Sequence, residues 1–223
     1  MLSTASWQFR IFDFPVRVHI TFFLLAVLLG LGVGNIVYVL IWVGIVFISI
    51  LIHELGHAFV ARYYGRSPHI ELYSMGGLTV SNRYTMLSYP REIFLSFAGP
   101  LAGFLLAGLI TLLLHFVGPI QQPLLSFLLR QMQFVNIAWG IFNLIPILPL
   151  DGGQIMRHLY HWLRSPYDER TPLKISVGFG IAAIIAVLVL FRGGSVYILL
   201  LMAWLTYNNF MALRQGYWTD NLV

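Results

Sequence analysis

Residues 53–57 read HELGH, and they lie inside VYVLIWVGIVFISILIHELGHAFVARYY, a stretch apolar enough to cross a lipid bilayer. An ionisable side chain in hydrocarbon is expensive, so three of them within five residues call for a functional reason. On a helix, His53 and His57 are four residues apart and roughly 40° apart around the axis. Two imidazoles therefore project from nearly one face and can bind one cation. Glu54 points to the side, where it can hold a water and accept its proton. This is the zinc hydrolase pattern, in which Zn2+ lowers the pKa of water and polarises the scissile carbonyl. Gly56 is expected to keep the helix surface open beside the ligands. The plainer alternative is a pair of histidines that only hydrogen-bond between helices.

Composition places the motif in a membrane. Of 223 residues, 59% are hydrophobic and 9% charged, with a mean hydropathy of +0.82. Soluble domains carry about 25% charged residues, so this chain has too few to cover a water-facing surface. A span needs about 20 mostly apolar residues, and the candidates are 18–34, 36–62, 92–117, 124–147, 174–191 and 195–213. The expected fold is an all-α polytopic membrane protein of about six transmembrane helices, in one domain over residues 1–223. Between the second and third spans, HIELYS and LTVSNRY alternate around Gly76-Gly77, which predicts a short membrane-associated β-hairpin. The piece from Asp151 to Lys174 should be a short helix followed by a loop. The opening residues lack the apolar stretch and cleavage site of a signal peptide, so the first span is expected to stay attached. The absence of cysteine rules out disulfides, thiolate ligands and cysteine nucleophiles. The net charge of +5 is spread over loops and marks no nucleic-acid partner.

With six spans, every basic residue except Arg130 and Arg192 falls on one side of the membrane. The positive-inside rule then puts both termini in the cytoplasm, as a multi-pass protein of a prokaryotic plasma membrane. HELGH would sit within the bilayer, toward the cytoplasmic face.

A catalytic zinc usually takes three protein ligands. Glu54 and Asp151 are the acidic residues embedded in or abutting the spans. Asp151 ends FNLIPILPLDGG, where Pro146 and Pro149 break the helix and Gly152-Gly153 allow tight turns. Irregular backbone at membrane depth is tolerated where it is buried in protein or lines a wet cavity, and an acid there suits a cation. The competing reading is an aspartate that caps the helix from Gly152 onward.

Taken together, HELGH, NLIPILPLDGG (143–153), SMGG (74–77), FAGPLAG (97–103) and the entry FPVRVH (14–19) resemble, in order along the chain, the site-2 protease family of intramembrane zinc metalloproteases. The resemblance implies hydrolysis of a peptide bond within the bilayer, in a single-span or membrane-associated protein substrate, with one Zn2+ per chain. It implies His53, His57 and Asp151 as metal ligands, Glu54 as general base and Asn143 as an amide donor to the oxyanion. The strand edge at Gly76 and Gly77 would pair with extended substrate, an ordinary tight turn being the alternative there. The chain would be a minimal core without the PDZ or CBS domain of larger members, with room for a regulatory membrane partner.

Two motifs depart from the family. Met75-Gly76-Gly77 stands where Phe-Gly-Gly is common, and Gly103 stands where an asparagine often follows Gly-Pro. Gly99 and Gly103 are assigned to close helix packing. Asn136 could face the same cavity as Asn143 or bond between helices, and the remaining histidines are left outside the site. A membrane metal-ion transporter would need polar groups through both halves of the bilayer, whereas here they cluster on one. A prenyl-protein-processing zinc protease would need a third-ligand glutamate, and Glu71, Glu92 and Glu169 fall in loops or at interfaces.

Overall fold

The computed structural model describes residues 6–81, 85–118, 120–190 and 196–215. Arg83 and Arg192, both used to read the orientation, lie outside them. The chain divides into two compact units, Met1–Met86 with Ala98–Phe142, and Leu87–Phe97 with Asn143–Val223.

The first unit opens with two strands that the expected all-α class did not contain, β1 (Ser6–Ile11) and β2 (Phe14–His19). Phe12 and Asp13 join them with positive φ at both residues, the two-residue turn whose twist matches a hairpin. In β2, Phe14, Val16 and Val18 are buried while Pro15 and Arg17 are exposed, the period-two alternation of a strand with one packed face. Next come α1 (Ile20–Gly30) and α2 (Ile36–Tyr63), then β3 (Pro68–Tyr73) and β4 (Gly76–Ser81). β2 and β3 pair in parallel across the helical connection, and the sheet order is β1-β2-β3-β4. Its packed face joins α1 and α2 in one core containing Val16, Val18, Phe22, Ile50, Leu55, Ile70 and Leu72. The expected hairpin between the second and third spans is thus present as β3–β4, but as half of a four-stranded sheet. Its turn is Ser74-Met75, and Gly76 and Gly77 already lie in β4, opposite Tyr73 and Leu72.

Asn35 caps α2, its Oδ1 accepting from the amides of Val37 and Tyr38 at 3.0 and 3.3 Å. At the other side of that turn Gly30 lies against the Trp42 ring, and Trp42 Nε1 donates to Ala26 O at 3.1 Å. α1 has 11 residues, a length of ~16 Å, well short of a ~30 Å hydrocarbon core. The long helix α3 (Tyr89–Val117) carries Pro100 in its interior, and α4 covers Pro123–Asn143.

The second unit contains α5 (Asp151–Leu163), α6 (Arg170–Leu190) and α7 (Val196–Gln215). The short helix followed by a loop, expected from Asp151 onward, is α5 and its connection to α6. Arg157 forks onto Glu169 at 2.8 and 2.6 Å. Asp168 caps α6 by accepting from the Arg170 and Thr171 amides. The Tyr160 and Thr171 hydroxyls also donate to Asp168, and these bonds hold its carboxyl down at about 2.

Among the described residues, α2, α3, α6 and α7 are long and apolar enough to cross a membrane. Their outward faces carry Leu40, Leu109, Ile185 and Leu200, each more than half exposed, as suits a surface covered by lipid. The protein is an integral membrane protein. α4 is more polar, carrying Arg130, Gln131, Gln133 and Asn136.

Candidate metal centre

Both histidines lie on α2 and are buried, His53 at 3% and His57 at 8% exposure. Their Nε2 atoms are 3.2 Å apart. Two nitrogens bound at 2.0–2.1 Å with tetrahedral geometry stand about 3.3 Å apart, so the pair is spaced for one shared ion. Ligand atoms of His53, His57 and Asp151 all lie within 4.8 Å of one another, so the three could hold a metal. Two neutral imidazoles and a carboxylate form a donor set suited to zinc.

α3 approaches the imidazoles through glycine. A methyl group added at Gly99 would overlap His57 Nε2 and come 2.7 Å from His53 Nε2. Gly99 therefore packs closely, as expected, but against the two ring nitrogens themselves. Gly56 is likewise a close approach: a Cβ there would run into Ala98 O and lie 2.9 Å from Ala102 Cβ. The helix surface beside the ligands is covered by α3 and not left open. Gly103 faces Asn136, whose Nδ2 donates to Ser49 Oγ at 2.9 Å, an interhelical bond one turn before His53.

Glu54 is 4% exposed. Strand β4 packs beside it: a Cβ at Gly77 would overlap Glu54 Oε1, and Thr79 Oγ1 lies 2.7 Å from Oε2. Gly76, with φ +120°, packs on the Trp139 ring. Gly77 was a candidate from the sequence, and Thr79 was not.

In the second unit, Asn143 is the last residue of α4 and is 8% exposed. Asp151 is the first residue of α5, whose N-cap position is Leu150. A side chain on Gly152 would overlap Leu144 O, and one on Gly153 would meet Ile147 O and Leu148 N at 2.6 Å. The glycine pair thus lets the first turn of α5 fold against the 144–148 backbone. That backbone is pinned at both polar groups of Leu148: its amide donates to Ser176 Oγ at 2.9 Å, and its carbonyl accepts from Asn209 Nδ2 at 2.6 Å. Ser176 and Asn209 were not among the sequence candidates; a polar asparagine within apolar α7 was the available signal.

The chain is similar to known proteins in sequence and in fold. The family described as Peptidase family M50 matches residues 118–187. The zinc metalloprotease MJ0392 of Methanocaldococcus jannaschii is 33% identical over 178 residues, covering 77% of this chain and 49% of that protein. Stage IV sporulation protein FB of Bacillus subtilis is 29% identical over 171 residues, covering 75% of this chain and 56% of its own. The chain therefore spans about half the length of these curated relatives. The solved site-2 protease from Methanocaldococcus jannaschii superposes with a TM-score of 0.65 at 28% identity, covering 94% of this chain and 95% of the other. With a His-His-Asp group that could hold a metal, the chain matches the M50, or site-2 protease, family in sequence and in fold.

Proposed function

We propose that this protein is an intramembrane zinc endopeptidase that hydrolyses a peptide bond in or near a transmembrane segment of a single-span or membrane-associated protein. The observation that carries the reading is the convergence of His53, His57 and Asp151, with Glu54 on the same helix as the two histidines. Zinc, when bound, lowers the pKa of a water and polarises the carbonyl under attack. Glu54 accepts a proton from the attacking water and later delivers it to the leaving amine. The Asn143 amide donates to the oxygen on which charge develops. Strand β4 lies at the outer position of the sheet order. It would hold extended substrate by main-chain pairing, which favours a segment already loosened from helix.

In this reading residues 1–223 work as one protease domain, α1 and α4 join the four long apolar helices to make six membrane-embedded helices, and both termini face the cytoplasm. The β3–β4 hairpin lies against the membrane, beside the base it adjoins. The metal-ion carrier reading has no support among the relatives above, which include a zinc metalloprotease and a site-2 protease by name. The test is co-expression with a panel of single-span proteins from the same genome. Wild type should cut at least one, and Glu54→Gln none; equal cleavage by both would sink the proposal.

A further inference from the structure

Hydrolysis as proposed needs the Glu54 carboxylate held in one place, and a different element does part of the holding. On β4, side chains alternate between faces. Gly77 and Thr79, paired with Leu72 and Ile70, share the face that also carries Val16 and Val18. Those four partners are fully or almost fully buried, so the face is apolar until Thr79. Valine has nearly the same shape and would suit such a face. The sequence instead places a hydroxyl there, and it meets the carboxylate.

Thr79 Oγ1 lies 2.7 Å from Glu54 Oε2 and 3.0 Å from the Glu54 carbonyl oxygen. The hydroxyl has one proton to donate. The carboxylate is the nearer acceptor and, when ionised, the stronger, with a separation normal for a charge-assisted bond. On the other side, Gly77 packs so closely that a Cβ there would overlap Oε1. Oε1 is thus bounded by packing and Oε2 held by a hydrogen bond, both from one strand.

We propose that Thr79 is a positioning residue for the general base: its hydroxyl fixes the Glu54 carboxylate and ties base placement to β4. This rests on the protease reading for the role of Glu54, but the contact itself can be tested without turnover. Thr79→Val and Glu54→Ala, singly and together in the purified full-length zinc protein, form a thermal-unfolding cycle. Thr79→Val should lower the midpoint by roughly 2–4 °C in wild type and by less than half of that when Glu54 is already alanine. Equal losses in both backgrounds overturn the proposal. If Thr79→Val does not fold, Thr79→Ala takes its place in the cycle.

Turnover separates positioning from mere support. With the single-span substrate recovered by the co-expression panel, Thr79→Val should lower kcat by about 10–100-fold, the scale expected for a misplaced catalytic group. KM and zinc content should stay unchanged, and Thr79→Ser should restore most of the rate. Wild-type kcat in Thr79→Val, or a defect confined to KM, refutes the role. The two readings also fail differently. Cleavage that survives Glu54→Gln defeats the protease assignment and leaves the thermal coupling standing, whereas activity lost in Glu54→Gln but intact in Thr79→Val defeats this proposal alone.

Discussion

Gly99 on α3 and His57 on α2 approach so closely that a single added methyl group would overlap His57 Nε2. The glycine is therefore a wall of the candidate metal centre. Gly99→Ala should raise helix propensity while displacing both imidazoles. Zinc affinity should fall on the order of 10–100-fold, as when groups that orient metal ligands are altered. Competition with a chelator, read by metal analysis, measures it; unchanged affinity would mean the helices separate to absorb the methyl group.

Ligands and base should separate cleanly. His57→Ala and Asp151→Ala should each lose most of the zinc that wild type holds near one per chain, because each removes one of three protein donors. Glu54→Gln should retain the metal and lose hydrolysis. Full zinc and activity in Asp151→Ala would remove Asp151 from the ligand set.

A pH dependence follows from His158 on α5. Burial pushes this imidazole down to about 4, with Arg157 and His161 adding to the fall and Glu92 and Glu169 opposing it. Between about 4 and the ordinary value of 6.5 the unfolded chain binds a proton that the folded one does not. Stability is therefore fully present above pH ~6.5 and is lost as pH falls toward 4, by up to ~3 kcal/mol. His158→Gln should flatten that part of the profile in thermal unfolding; an unchanged slope would assign acid sensitivity to other groups.

The membrane orientation can be read with single cysteines, since the chain has none of its own. Cysteines at Ser67 and Ser165 should resist an impermeant thiol reagent applied to intact cells and react once the membrane is opened. Labelling from outside would invert the proposed topology.

The candidate metal group was legible because each of its two pieces is local. HELGH carries the i, i+4 spacing of two candidate ligands, and Asp-Gly-Gly after two prolines marks a break that a span would not otherwise contain. What stayed hidden depends on packing across the chain. The Phe12-Asp13 turn and the alternation in β2 were present in the sequence, but FPVRVH was read as the entry to the first span and not as a strand. In β4 the expected phase is reversed. Leu78 and Val80 are the apolar positions that a strand would normally turn inward, yet Gly77 and Thr79 are the residues that meet Glu54 on α2. Ser176 and Asn209 act on Leu148 from helices that sequence periodicity reads only as apolar.

Asn143 carries the most exposed prediction, since its role in turnover rests on chemistry and family resemblance. It is buried at the C-terminal end of α4, immediately before the 144–150 segment that leads to Asp151. An amide there can donate to a developing oxyanion, and loss of such a donor costs about 2.7–4 kcal/mol of transition-state stabilisation. Asn143→Ala should therefore lower kcat by ~10²–10³-fold. The defect should persist at saturating substrate, because an interaction made only in the transition state does not act through KM. Zinc content should match wild type. Asn143→Asp separates donation from mere polarity: it preserves size but offers no amide proton, so it should be as impaired as the alanine variant. If Asn143→Ala lost its zinc, the asparagine would be supporting the ligand segment, and the oxyanion role would pass to another donor.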